Sequence, residues 1–319
     1  MSSPSKNLRR QKTNAIKQTT TLGVSFSVKA CQDYQIDWRM CLQALIDLGI
    51  KRFRLMSYWD THEQERGIFD FTLLDSQLDM IEEAGAKVSL CIGIRQPRWP
   101  ESHIPDWALS LEDDDRTDAY LAYHQMVIER YKDQDFIESW QLENEFWNRN
   151  FGLNNTFSRS RLVAEFKMLR TLDPERPIIM SLGNTVGLPI FAPKPDLFGT
   201  TIYLTQYKNG HYSKSVYRPW YFNLRSCLVS LFGRRSLIIH ELQAEPWGPL
   251  ANWEMNDAEQ ALSMNPDELK VALKFARATG IKYMDLWGGE WLYWRKTKQT
   301  DIALWTAVKN EVVESRHFA

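Results

Sequence analysis

Short runs of β-forming residues alternate along most of the chain with longer segments whose apolar residues recur at helical spacing. This alternation is typical of βα units built around a parallel sheet. The β-rich runs are LGVSFSV, KRFRLMS, AKVSLCIGI, FIESWQLE, RPIIMSL, LFGTTIYL, RSLIIHEL and IKYMDLW. Eight such runs in this order predict an α/β fold, a single (β/α)₈ TIM barrel.

The segments between the runs predict the helices of the barrel. Helical spacing covers residues 38–48, 73–85, 119–132, 159–172 and 216–232, and a further helix begins near residue 265. A Pro-rich connection without a clear helix joins the fifth and sixth runs. A doubly wound open sheet is the structural alternative, but it would normally carry a Gly-rich phosphate loop after an early strand, and the sequence contains none.

Composition and charge narrow the class of protein. Hydrophobic residues make up 44% and charged residues 25% of the 319 residues, as in ordinary globular proteins. The formal net charge is −1, so no overall positive field favours nucleic acid, and we expect no nucleic-acid partner. The four cysteines are scattered without a C-x-x-C pair, which argues against a zinc site or a disulfide framework.

The first twenty residues are polar and basic and contain no apolar core of a signal peptide. We therefore expect a disordered tail over residues 1–20, followed by one catalytic barrel over residues 21–319. No apolar run reaches the roughly 18 residues that a membrane-spanning helix needs. These features favour a cytoplasmic protein, whose oligomeric state the sequence leaves unknown.

In a (β/α)₈ barrel the active site lies at the carboxyl ends of the strands, so the residues there are the candidates for function. Several are polar or aromatic. They are Arg54 with Trp59 beyond it, then Glu143, Asn144 and Glu145, Tyr203, Glu241 with Glu245 beyond it, and Trp287 with Glu290 beyond it. Two carboxylates across one barrel mouth, beside an arginine and aromatic rings, are suited to glycoside hydrolysis.

Cleaving a glycosidic bond requires one protonated carboxyl group and one ionised carboxylate. Their surroundings must therefore separate their pKa values. Arg54 could keep Glu241 charged, and the negative charge of Glu241 could raise the pKa of Glu145.

These residues resemble the clan A retaining glycoside hydrolases, most closely the family 5 cellulase and mannanase branch, with some likeness to the family 42 and 35 β-galactosidases. The resemblance rests on LENE at the fourth strand, LIIHELQ at the seventh and FRL at the second. TIY at the sixth strand, DLWGGE at the eighth, and the loops YWDTHEQERGIFDF and RWPESHIPDW add to it. Together the motifs extend from about residue 22 to residue 300.

The resemblance implies a role for each matching residue. Glu145 would be the acid/base, Glu241 the nucleophile, and Asn144 the partner of the sugar 2-hydroxyl. Arg54 and Tyr203 would position Glu241 and keep it ionised, and Trp287 would form the floor of the sugar subsite. Anomeric configuration would be retained, with the two carboxyl groups roughly 5 Å apart.

The choice between Glu143 and Glu145 depends on strand geometry. On a regular strand Gln141, Glu143 and Glu145 face the same way, so Asn144 and Glu145 can both enter the site only if the strand end is irregular. Glu143 is the alternative acid, and otherwise a buried structural or substrate-contacting residue. Glu245 and Glu290 are candidates for binding sugar hydroxyl groups. Core packing is the alternative role of Tyr203 and Trp287.

No metal or organic cofactor is expected, because HEQER and HELQA lack the second histidine of a zinc motif. The predicted function is a retaining glycoside hydrolase acting on a β-linked carbohydrate. The alternatives are a carbohydrate-binding barrel without turnover, a transglycosylase acting on glycans or glycolipids, and a Schiff-base lyase. The lyase would need a buried lysine, which none of the strand ends provides.

A basic segment over residues 208–235 forms a second feature. Residues 197–240 contain six lysines and arginines, including Arg234 and Arg235, and no carboxylate. Apolar residues recur there at helical spacing, namely Trp220, Leu224, Cys227, Leu228, Leu231 and Phe232. We expect this face to pack on the sheet, and contact with an anionic membrane surface or an acidic partner is the alternative.

Overall fold

The computed structural model describes residues 20–148, 151–153, 157–182, 193–231 and 236–316, without the side chains of 314–316. The described strands are β1 (Thr21–Ser25), β2 (Arg52–Met56), β3 (Lys87–Ile92), β4 (Ile137–Leu142), β5 (Ile178–Ser181), β6 (Leu197–Ile202), β7 (Thr205–Lys208), β8 (His211–Lys214), β9 (Ser236–Gln243) and β10 (Tyr283–Trp287). All except β7 and β8 form a closed parallel barrel in which β10 pairs with β1. The predicted TIM barrel is confirmed. Strands β7 and β8 form a separate antiparallel hairpin that the sequence pattern did not predict.

The described helices are α1 (Val28–Asp33), α2 (Trp38–Asp47), α3 (Trp59–His62), α4 (Thr72–Glu83), α5 (Asp106–Leu109), α6 (Asp113–Tyr131), α7 (Arg159–Leu172), α8 (Pro219–Leu231), α9 (Asp257–Ala261), α10 (Pro266–Ala278), α11 (Gly289–Lys298) and α12 (Ala303–Arg316). The six predicted helices are α2, α4, α6, α7, α8 and α10. Asn265 begins α10, because its side chain accepts the backbone N–H groups of Asp267 and Glu268.

Strand β2 shows how the barrel positions polar groups. Phe53 and Leu55 are fully buried in the apolar core. Arg52 and Arg54, which alternate with them, reach other strands across the barrel interior, where Arg52 contacts Asp285 of β10. Period-two alternation therefore lets side chains of β2 and β10, which are separated by β1, meet inside the barrel.

Helix α8 packs through a different face from the one expected. Phe222 and Val229 are buried, and Arg225 between them donates a hydrogen bond of 3.0 Å to the Thr200 hydroxyl group of β6. Trp220, by contrast, keeps 66% of its surface exposed. The prediction that the apolar stripe of this helix packs on the sheet is wrong, because the inward positions are occupied by Phe222, Arg225 and Val229.

Some sequence predictions lie outside the described residues. These are residues 1–19 of the predicted tail, the Pro-rich connection over 183–192, and Arg234 and Arg235 of the basic segment. Within the ranges that the structure describes, none of the helices has the length and apolar character needed to cross a membrane.

Candidate active site

A cavity of about 940 Å³ opens at the carboxyl ends of the barrel strands. Residues after β3, β4, β6, β9 and β10 line it, and this volume falls within the range of small-molecule sites. Its aromatic lining includes Tyr34, Trp99, Tyr203, Trp247, Trp253 and Trp287. Flat aromatic rings beside several carboxyl groups give the cavity both stacking surfaces and hydrogen-bonding groups.

Glu241 lies at the end of β9 with both carboxylate oxygens engaged. Arg54 Nη1 donates to Glu241 Oε1 at 3.0 Å, and the Tyr203 hydroxyl group donates to Glu241 Oε2 at 2.9 Å. Arg54 is fully buried, so this charged hydrogen bond forms away from bulk water. The arrangement holds the Glu241 carboxylate in one orientation.

The chain after β4 departs from regular strand geometry. Strand β4 ends at Leu142, and Glu143 and Glu145 then adopt positive φ angles of 21° and 43°. Alternation of side chains is lost at this point. As a result Asn144 and Glu145 both line the cavity, while Glu143 is absent from the residues that line it.

Glu143 instead connects three parts of the fold. Its carboxylate accepts the backbone N–H groups of Ile94 and Arg95 at 3.3 and 2.8 Å, and Arg161 of α7 donates to it at 3.2 Å. The side chain is fully buried. Glu143 therefore stabilises the loop after β3 and the turn after β4, and it has no contact with the cavity.

Asn144 is oriented by partners on both ends of its amide. Arg54 Nη2 donates to Asn144 Oδ1 at 2.9 Å, and Gln141 donates to the same oxygen at 3.3 Å. Asn144 Nδ2 donates to Glu101 Oε2 at 3.1 Å. One N–H of this amide is left for a ligand.

Glu145 lines the same cavity as Glu241. Its Oε2 atom accepts a hydrogen bond of 3.0 Å from Asn148 Nδ2. Burial, and then the charge of Glu241, raise the pKa of Glu145 to about 7. Since the cationic Arg54 contacts Glu241, the two carboxyl groups have the unequal surroundings that separate an acid from a nucleophile.

Arg98 was not among the predicted site residues, but it contacts three residues that were. It donates to Glu245 Oε1 at 2.7 Å and to Glu290 Oε2 at 2.8 Å. Its guanidinium group lies 4.0 Å from the ring centre of Trp287. Arg98, Glu245 and Trp287 line the cavity, whereas Glu290 is fully buried behind them and accepts the backbone N–H of Ser27. Glu290 thus supports Arg98, and Glu245 and Trp287 face the ligand space.

Glu101 also lines the cavity, and it is not among the site residues predicted from the sequence. It lies in RWPESHIPDW, a run noted only for its likeness to family loops. Burial, followed by the charges of Glu145 and Glu241, raises the pKa of Glu101 to about 8. Burial and these charges therefore favour the neutral form of its side chain.

Trp59 is not brought to the cavity. It is fully buried, donates to Glu63 at 2.6 Å and packs edge-on against Trp107 at 5.7 Å. In the part of the chain that the structure describes, no three His, Cys, Asp or Glu residues are grouped as a metal site would require.

Part of the chain is similar to known glycoside hydrolases. The glycoside hydrolase family 42 model, described as beta-galactosidase, matches residues 32–127. The β-galactosidase Bga of Halorubrum lacusprofundi is 30% identical over 34% of this chain and 18% of its own length. BgaH of Haloferax lucentense is 26% identical over 34% of this chain and 19% of its own length. The resemblance to clan A glycoside hydrolases is confirmed.

Solved structures of clan A enzymes share the fold. An exo-β-1,4-mannosidase from Opitutaceae bacterium strain TAV5 has a TM-score of 0.58 at 17% identity and covers 84% of this chain and 51% of its own. The β-galactosidase from Halorubrum lacusprofundi has a TM-score of 0.54 at 16% identity, over 84% of this chain and 52% of its own. The matched region thus spans about a fifth of the curated relatives and about half of these structures.

Proposed function

We propose that this protein is a retaining glycoside hydrolase that cleaves β-linked glycosides, with Glu145 as acid/base and Glu241 as nucleophile. One observation carries the proposal: both glutamates line one cavity in unequal surroundings. Glu241 is bound by Arg54 and Tyr203, whereas the pKa of Glu145 is raised to about 7. A double displacement needs this division of protonation states.

In the first step Glu145 gives its proton to the leaving glycosidic oxygen as Glu241 attacks the anomeric carbon. The glycosidic C–O bond breaks, and an ester forms between the sugar and the Glu241 carboxylate. Because the ester leaves Glu241 without a negative charge, the pKa of Glu145 falls. The aglycone leaves with the proton that Glu145 donated.

In the second step a water molecule gives a proton to the Glu145 carboxylate and attacks the anomeric carbon. The ester bond breaks, and Glu241 and Glu145 return to their starting states. The remaining N–H of Asn144 is suited to the sugar 2-hydroxyl group, and the Trp287 ring to the face of the sugar. Every proton and electron pair comes from these groups and water, so the reaction requires no cofactor.

The comparisons suggest which substrates to test first. A family model described as beta-galactosidase and two proteins named β-galactosidases favour terminal β-galactosides as the first substrates to test. A structural neighbour named an exo-β-1,4-mannosidase adds β-mannosides. A panel of nitrophenyl β-galactoside, β-mannoside and β-glucoside would identify the glycone.

Replacing the glutamates tests the assignment. We expect Glu145→Gln and Glu241→Gln to lower kcat/KM on the best glycoside by roughly 10³-fold or more, because each removes an acid–base or nucleophilic group. Glu82→Gln, on the exposed face of α4, is the control and should leave activity unchanged. A Glu145→Gln variant as active as the parent on substrates with poor leaving groups would contradict the acid role.

Three further measurements separate the alternatives. Proton NMR of the first product should show the same anomeric configuration as the substrate, and an inverted product would exclude the double displacement. Azide should restore activity to Glu145→Ala by forming a β-glycosyl azide. Sugar binding by calorimetry without turnover of any glycoside would instead favour a carbohydrate-binding barrel.

A further inference from the structure

Helix α8 presents a row of large apolar side chains to solvent. Trp220, Leu224 and Leu231 are 66%, 47% and 80% exposed, and Val216 just before the helix is 83% exposed. Positions 220, 224, 227 and 231 share one face at helical spacing. Since Phe222 and Val229 already hold the helix on the barrel, the stability of the fold does not explain this exposed row.

Basic residues lie near this row along the chain. Lys208, Lys214 and Arg218 are exposed, and Arg234 and Arg235 follow the helix in the sequence. Between Leu197 and His240 the chain contains no carboxylate. Glu268 of α10 contacts Lys214 at 2.7 Å, and Asp267 lies beside it in the chain, so acidic groups do reach one margin of the surface.

The exposed apolar row and the basic residues form one surface, here named the basic–apolar face (Val216, Trp220, Leu224 and Leu231 with Lys208, Lys214 and Arg218). We propose that this face docks on an anionic lipid bilayer. Basic side chains are attracted to anionic headgroups, and Trp and Leu side chains insert at the boundary between headgroups and acyl chains. The proposal concerns binding alone and does not depend on which bond the barrel cleaves.

The shape of the face favours a bilayer over a protein partner. The apolar side chains project from the convex surface of one helix, which a fluid bilayer accepts without a complementary groove. Helix α8 has 13 residues, too few for the ~20 that span a membrane, but enough to lie along its surface.

The face also reaches the cavity. Lys208, at the end of β7, lines the cavity, and the hairpin leads through β8 to the start of α8. A bilayer bound to this face would therefore lie beside the mouth of the barrel, where a headgroup could approach the site.

Vesicle co-sedimentation of the full chain tests the proposal. We expect the protein to sediment with phosphatidylcholine vesicles that contain about 30 mol% phosphatidylglycerol, and the bound fraction to fall several-fold in pure phosphatidylcholine or at about 0.5 M salt. Trp220→Ser/Leu224→Ser should weaken binding about tenfold, because it removes the inserting side chains. Lys214→Gln/Arg218→Gln should weaken it several-fold at low salt.

Met40→Ser/Ile68→Ser provides the matched control, since these apolar side chains are 63% and 62% exposed elsewhere on the barrel. Its binding should equal that of the parent. The proposal would be overturned if the parent protein failed to sediment with anionic vesicles. It would also be overturned if Trp220→Ser/Leu224→Ser bound these vesicles as well as the parent. A dimer in analytical ultracentrifugation that this double variant converts to a monomer would overturn it too, because the face would then join two copies of the chain.

Discussion

At the scale of single residues, the environment of Glu145 determines how activity should depend on pH. Burial and the charge of Glu241 raise the pKa of Glu145 to about 7, so the acid form predominates below that pH. We predict that kcat/KM falls as pH rises through about 7. A pH–rate profile measured on the best nitrophenyl glycoside checks this.

Asn148 provides a graded test of the same group. Its side chain donates to Glu145 and lowers the pKa of that carboxyl group. Asn148→Ala should therefore raise the pKa of Glu145 and move the alkaline limb of kcat/KM to higher pH. A variant that instead exposed Glu145 to water would lower this pKa and move the limb to lower pH. An unchanged limb would mean that another group controls it.

Glu101 should reduce stability at neutral pH. Its pKa is about 8 in the folded chain and near 4.5 when unfolded, so the unfolded state loses its proton first as pH rises. Below pH 4.5 Glu101 is protonated in both states and has no destabilising effect. As pH rises from 4.5 to about 8, the free energy of unfolding falls progressively. Glu101→Gln, a neutral replacement, should raise the free energy of unfolding by on the order of 2 kcal/mol at pH 8 and little at pH 4.5. Urea titrations at both pH values would show the difference, and an equal effect at both would contradict it.

The sequence predicted some of these residues better than others. Arg54 and Glu241 could be assigned to the barrel interior from strand parity, because each lies within a predicted strand. Glu101 could not, since its contact with Asn144 joins residues 43 positions apart through an irregular loop. The inward turn of Glu145 depends on positive φ angles at Glu143 and Glu145, which no side-chain pattern encodes.

At the scale of elements, the loop after β3 and the turn after β4 stabilise each other. The carbonyl group of Arg95 accepts the Asn144 N–H at 2.7 Å, and the Arg95 side chain donates to the Asn144 carbonyl at 3.1 Å. Glu143 adds its bonds to Ile94, Arg95 and Arg161. Both candidate site residues of this turn therefore depend on a neighbouring loop for their position.

Glu143→Ala should destabilise the protein by about 2–4 kcal/mol, because two buried backbone N–H groups lose their acceptor and Arg161 loses a charged partner. Chemical denaturation measures this cost, with Glu82→Ala as an exposed control. We expect kcat to fall as well, since the turn that carries Glu145 loosens. A variant of unchanged stability would contradict the structural role of Glu143.

Short elements explain most of what the sequence left out. Helices α3 and α5 have four residues each, too few for a helical period to be recognised. The face of α8 was misassigned for another reason, because apolar spacing indicates an amphipathic helix without indicating which environment its apolar side meets. Only the packing of Phe222, Arg225 and Val229 decides that.

At the scale of the whole molecule, ion pairs connect barrel strands that are not hydrogen-bonded to each other. Arg52 of β2 contacts both Asp285 of β10 and Glu138 of β4. Asp285→Leu should cost about 3 kcal/mol, since Arg52 stays buried with one partner fewer. Arg52→Leu/Asp285→Leu should recover part of that loss in thermal or urea unfolding. Additive losses would show that the two side chains act independently.

The order of β-rich and helical segments was sufficient to predict the barrel, because parallel strands joined by helices close in few ways. The partners of each buried charge were not predictable. Arg52 and Asp285 are 233 positions apart, and their contact exists only once the barrel has closed.

The pairing of β1 with β10 has a consequence for synthesis of the chain. Strand β1 is among the first described residues to leave the ribosome, yet its neighbour Tyr283–Trp287 is translated some 260 residues later. At roughly 5–20 residues per second, that interval lasts about 13 to 52 seconds. During this interval one edge of β1 in the nascent polypeptide has no strand to pair with. A chaperone that binds extended segments would protect that edge from pairing with other chains.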